Sequence, residues 1–167
     1  MPLAWLALAK TFRTAGLDFI DSAPKRTIVR VHFAHPPAAV FAALADAPGW
    51  GRWFPGFSAK SHYLTPAPYG VGSRREMIVL GRPTIERVIA WDEPSRFAFA
   101  IEEAAMPGIS ALAENYSIAG EPDGSSSLTW TMALDASAGA AGVIFAAIGS
   151  ATFGKAARKL DRLLAGT

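Results

Sequence analysis

The chain has 167 residues, 51% hydrophobic and 18% charged, with a net charge of +2 from 16 basic and 14 acidic side chains. These numbers suit one folded domain with a real core and exclude a disordered chain. The basic residues are scattered, which speaks against a nucleic-acid footprint. Cysteine is absent, and His32, His35 and His62 lack the spacing of a ligand set, so neither a disulfide, a metal centre nor a bound cofactor is expected.

Residues 1–24 read as an N-terminal appendage that closes on the turn Ser22-Ala23-Pro24. A helix is expected from about Leu3 to Phe12. The stretch LAWLALA (3–9) has no preceding positive charge, so it does not have the order of a secretory signal. It is the one segment that offers membrane contact; otherwise none is expected, and the expected compartment is cytoplasmic.

TIVRVHFA (27–34) alternates Val29, Val31 and Phe33 with Arg30 and His32, the pattern of a half-buried strand. His35-Pro36-Pro37 stops it, and AAVFAALADA (38–47) carries Val40, Phe41 and Leu44 at helical spacing. GWGRWFPGF (49–57) then crowds four large aromatic side chains among three glycines and a proline. Trp50, Trp53 and Phe54 are favoured as a structural plug at a sharp corner over a ligand-contacting rim, because burying such side chains contributes about 1.5–3 kcal/mol each.

Strands are expected next over 57–64, 73–80, 84–91, 96–102, 112–119 and 127–135, with a turn at Gly81-Arg82-Pro83 and a polar hairpin tip at EPDGSSS. A long helix is predicted over about 138–165. Its second half is amphipathic, with Lys155, Arg158, Lys159 and Arg162 on one side and Phe153, Ala156, Leu160, Leu163 and Leu164 on the other. Its first half, with Val143, Ile144, Phe145 and Ile148, has no polar side. Such a helix needs cover all round, and the appendage is the candidate cover. The uncharged run 136–154 reaches spanning length but is rich in Ala and Gly and reads as a buried soluble helix. A twisted antiparallel sheet that grips this helix would keep a cavity where Gly139, Gly142, Gly149, Ser150 and Gly154 line it.

The run VHFAHPPAAVFAALAD, then WGRWFP, then ERVIAWDEPSRF, then the terminal helix, resembles the SRPBCC or START-like superfamily, within it the polyketide cyclase/dehydrase and lipid-transport group. The likeness covers about 27–165. It implies an α+β helix-grip fold: a curved seven-stranded antiparallel sheet around a long C-terminal helix, with two short helices after the first strand, in one domain over 25–167. It implies binding of a lipid-like or aromatic, polyketide-like molecule in an internal cavity. It places Glu86 as a pocket-facing acid and Leu80-Gly81-Arg82-Pro83 as a gating hairpin. Oxygenase relatives need cysteine ligands for an iron–sulfur domain, which this chain lacks.

Strand period two puts Glu86 with Val88 and Ala90, opposite Arg87, Ile89 and Trp91. Glu86 is thus a candidate general acid or base and ligand contact; the alternative is a partner for Arg74 or Arg75 across the hairpin. Tyr116 is a candidate polar contact, or a core tyrosine bonded to backbone. Trp130, Met132, Phe97, Phe99, Met77, Phe145 and Ile148 would be wall, though each also suits an ordinary core. Tyr63 is favoured over His62 as inward-pointing, and Met106, Pro107 and Ile109 form a movable lip. The expected function is carriage or binding of a small apolar ligand. The alternatives are a cyclase or dehydratase-type enzyme using Glu86, and a protein-interaction module with a vestigial pocket.

Overall fold

The computed structural model describes residues 9–166, apart from the side chains of residues 145, 147 and 148. In chain order the elements are β1 (Lys10–Thr11), α1 (Leu17–Ser22), β2 (Lys25–Phe33), α2 (Pro37–Ala45), α3 (Trp50–Trp53), β3 (His62–Tyr63), β4 (Arg74–Val79), β5 (Arg82–Asp92), β6 (Arg96–Ala104), β7 (Ile109–Gly120), β8 (Ser126–Ala136), α4 (Ala138–Ile148) and α5 (Ser150–Ala165). Seven strands form one antiparallel sheet in the order β2-β8-β7-β6-β5-β4-β3, and β1 adds to β6 as an eighth. The protein is an α+β fold with a curved antiparallel sheet closed over a C-terminal helix.

The concave face carries the large side chains. On β8 the alternation predicted from sequence holds: Leu128, Trp130, Met132 and Leu134 are buried in the main core beneath α5. From α5 come Phe153, Ala156, Ala157 and Leu160, and the Phe153 ring stacks on Trp130 at 4.3 Å and 6°. The plug is as expected in position: Trp50, Trp53 and Phe54 are all buried, and the Trp50 indole N–H donates to the Leu44 carbonyl at 2.9 Å.

The convex face is different. Ala98 and Ala100 of β6, Ala111 and Ala113 of β7, and Ala133 of β8 form a shallow floor, with Ala100 facing Ala113 and Ala113 facing Ala133 across the ladders. Alanines let a helix approach closely, and α1 lies there, burying Phe19 and Ile20. The described part of the appendage therefore covers the outside of the sheet, not the apolar half of the terminal helix. The predicted helix over 3–12 falls mostly outside the described residues; its end, Lys10–Thr11, is strand β1.

That strand occupies a split. The β6–β7 ladder ends at Ala100 and Ala113, and beyond it the two strands part. Lys10 and Thr11 pair with Ala104 and Glu103, the Phe12 N–H donates to the Glu102 carbonyl, and the Arg13 N–H donates to the Ser110 carbonyl. The Arg13 guanidinium also reaches Asp135 at 3.0 Å. The N-terminal strap thus stitches the end of β6 to the start of β7.

Three further expectations are corrected. The terminal helix is two helices, because Gly149 turns extended (ψ −170°) between α4 and α5. The β4–β5 turn is Leu80-Gly81, both with positive φ (50° and 74°), the pairing of a tight hairpin turn; Arg82 and Pro83 already belong to β5. On β5 a bulge between Val88 and Ala90 breaks the alternation, so Val88 and Trp91 join the main core while Ile89 and Ala90 join the convex one. Among the described residues no helix is long and apolar enough to cross a membrane.

Candidate functional site

Between the sheet, the plug and α4 lies a small space of about 60 Å³, its wall almost wholly apolar. The glycines of the terminal helices do not create it: a Cβ at Gly139 or Gly142 would meet nothing within 4 Å, and these residues look outward. The interior is more filled than the sequence suggested, because Phe153 and Trp130 occupy its centre. What remains is small beside the roughly 300–1,000 Å³ of ordinary ligand pockets.

Three ionisable side chains reach this space. Arg75 and Glu86 stand opposite each other on β4 and β5, a register set by the hairpin turn five residues away. Both are buried, and Arg75 Nε donates to Glu86 Oε2 at 2.6 Å. Arg75 Nη1 donates to the Leu44 carbonyl at 3.1 Å, and the guanidinium lies 4.9 Å from the ring centres of both Phe97 and Phe99. Its Nη2 meets no acceptor in hydrogen-bond geometry among the described residues, although the guanidinium also acts on the nearby Tyr63 hydroxyl. Burial pushes the Glu86 carboxyl up, opposed by the Arg75 charge beside it; burial works against the Arg75 charge, and Glu86 restores it.

The third is Glu114 on β7. Its Oε2 accepts from the Tyr116 hydroxyl (2.5 Å) and from the Trp130 indole N–H (2.8 Å). No salt bridge reaches it among the described residues. Burial, against the help of those two donors, raises its carboxyl to about 7. Burial and the neighbouring Glu114 hold the Tyr116 phenol well above its usual range.

Of the residues singled out from sequence, Glu86, Phe99 and Met106 line the cavity. Tyr116 and Trp130 stand behind it, acting through Glu114. Met77, Phe97, Met132 and Ile109 are buried in the main core, off the cavity wall. Tyr63 is half-buried, donates to the Ala45 carbonyl at 2.9 Å and stacks on Tyr69. The side chains of Phe145 and Ile148 lie outside the described residues. Trp50, expected as plug, is plug and cavity wall at once. The sequence reading gave no ligand role to Arg75 or Glu114. For Arg75 the signal was the hairpin register with Glu86; for Glu114 it was the shared face with Tyr116.

A surface groove of about 560 Å³ runs between the β6–β7 loop and α4, and Met106 and Ile144 line both the groove and the cavity. Val143, expected to be covered, is 69% exposed on this rim. Met106 and Ile144 thus belong to the walls of both the small inner space and the open, mostly apolar groove.

A curved sheet closed on a C-terminal helix over a polar-tipped apolar interior defines the helix-grip class of ligand-binding proteins. The chain belongs to the family described as polyketide cyclase / dehydrase and lipid transport, whose profile matches residues 26–165. An uncharacterised protein of Mycobacterium tuberculosis is 36% identical over 121 residues, 71% of this chain and 70% of that one. A solution structure from Thermobifida fusca superposes with a TM-score of 0.70 at 22% identity, covering 84% of this chain and 93% of that one. The Zhui aromatase/cyclase of Streptomyces sp. R1128 superposes at 0.68 and 16%, with 84% and 93% covered. Ara h 8.0201 does so at 0.64 and 11%, with 86% and 99% covered. At these identities the superpositions speak for the fold.

Proposed function

We propose that the protein binds a small, neutral, largely apolar ligand, ring-containing or lipid-like, whose carbonyl-type oxygen is received by Arg75. The observation that carries this reading is the fully buried guanidinium with one nitrogen unsatisfied, set in the wall of an apolar cavity. A buried donor left without a partner costs about 1–3 kcal/mol, more when charged, and a ligand oxygen would recover it. Because Glu86 already matches the charge of Arg75, a neutral acceptor fits better than a carboxylate. The ligand enters from the groove when Met106 and Ile144 swing aside, joining groove to cavity.

The test compares acetylnaphthalene with ethylnaphthalene, the same shape without the oxygen, by quenching of tryptophan fluorescence. The protein should prefer the ketone by about tenfold. The variant Arg75→Met/Glu86→Leu, which removes the pair together and leaves no lone charge, should bind the two probes alike. A ketone preference that survives in that variant would defeat the reading.

A second reading, an enzyme that moves a proton next to the ligand's carbonyl, is favoured by the two carboxyl groups on one cavity. Glu86 is held as the partner of Arg75, whereas Glu114 titrates near neutrality, where a general base works best. Glu86→Gln and Glu114→Gln tested separately for turnover with binding retained would assign the role.

A further inference from the structure

Glu114 is buried to 8% exposure, lines the cavity and has no arginine or lysine bridged to it among the described residues. Both of its donors, the Tyr116 hydroxyl and the Trp130 indole N–H, go to the same oxygen, Oε2. No hydrogen bond is made to Oε1 among the described residues. Tyr116 and Trp130 face each other across the β7–β8 ladder, and Tyr116 is two residues from Glu114 on the same strand, so the carboxyl is held from behind by rigid aromatic groups. Phe99 faces it from β6, and Phe153 of α5 packs on Trp130. A carboxyl pinned through one oxygen keeps the lone pairs of the other for a further donor.

We infer that Glu114 is a second polar contact for the ligand, taking a hydrogen bond at Oε1 from a hydroxyl or N–H group, so that the site selects molecules carrying a donor as well as the acceptor oxygen that meets Arg75. The inference rests on the proposed ligand-binding reading and adds a specificity rule to it. The groups bearing on the carboxyl are Tyr116 on its own strand, Arg75 on β4 and Glu86 on β5. Burial raises the Glu86 carboxyl against the pull of the Arg75 charge beside it, and Glu86 in turn sustains that charge. The donor preference therefore follows the charge of Glu114: weak when the carboxyl is protonated, stronger once it is ionised, because a hydrogen bond to a charged acceptor is roughly twice as strong.

The experiment uses the full chain and a set of hydroxylated acetylnaphthalenes, the hydroxyl at each open ring position, each beside its methyl ether. In the unaltered protein the best hydroxyl isomer should bind about tenfold or more tightly than its ether above pH 7, and the advantage should shrink at pH 5.5. In Glu114→Gln, which keeps an oxygen for Trp130 and Tyr116 but turns an amide nitrogen to the cavity, the hydroxyl advantage over the matched ether should vanish at every pH. A hydroxyl advantage that persists unchanged in Glu114→Gln, or its absence in the unaltered protein for every isomer, would overturn the inference. Loss of the ketone preference itself, or failure of any probe to bind, would instead bring down the Arg75 reading beneath it.

Discussion

Replacing Glu114 with Gln should stabilise the protein at neutral and alkaline pH and leave it almost unchanged in acid. The folded state holds the Glu114 proton to about pH 7, while a glutamate in water releases it at 4.5. Below the lower value both states are protonated, and the group contributes nothing pH-dependent. As pH rises from there, the unfolded chain ionises first and stability falls; above about 7 both are ionised and the full cost remains. The gap between the two values corresponds to about 3 kcal/mol. Gln stays neutral throughout and its carbonyl still accepts from Trp130 and Tyr116. Urea melts of both proteins from pH 4.5 to 8.5 should thus diverge progressively, reaching roughly 3 kcal/mol, or about 6–12 °C in Tm for a chain of this size. Every other titrating group is common to both proteins and cancels. Two stability curves that run parallel across this range would show that Glu114 is not buried without a compensating charge.

The ion pair gives a second test: Arg75→Met alone should cost about 3–5 kcal/mol by stranding Glu86, and adding Glu86→Leu should restore much of it, both read from denaturant melts. Phe19→Ala on the convex face should cost about 3 kcal/mol and speed proteolysis near residues 10–24, although it lies far from the cavity. Gly108→Ala should destabilise by about 1–3 kcal/mol, because Gly108 has φ +79° and a Cβ there would meet Ala140 Cβ at 2.7 Å and Ser137 Oγ at 2.8 Å. The same clash pushes the Met106 loop away from α4, so probe association should quicken in stopped-flow traces.

Elements with one wet face and one packed face could be read from the residues, and β2 fell where its alternation placed it. The convex face could not. Alanine is neither clearly in nor out, so Ala98, Ala100 and Ala113 gave no sign that the outside of the sheet is itself covered. A single added residue at Val88–Ala90 reversed the facing of the β5 end, and period-two counting has no means of registering it. In the site, Glu86 was singled out because a carboxylate amid apolar residues stands out. Arg75 was weighed only as its bland partner, since its open nitrogen depends on what α2 and the plug leave unmet. Glu114 acquires meaning only when Trp130, on the next strand, turns its N–H toward it.

The strap between β6 and β7 has a consequence for the order of assembly. The carbonyl that receives the Phe12 N–H belongs to Glu102, ninety residues further along the chain. During synthesis the N-terminal residues leave the ribosome long before that partner exists. They cannot make this pairing until that part of the sheet has been synthesised. Long-range closures of this kind slow folding. A cargo protein joined ahead of residue 9 would hang on that stitch, beside the end of β6, whereas one joined beyond residue 166 would sit at the end of α5.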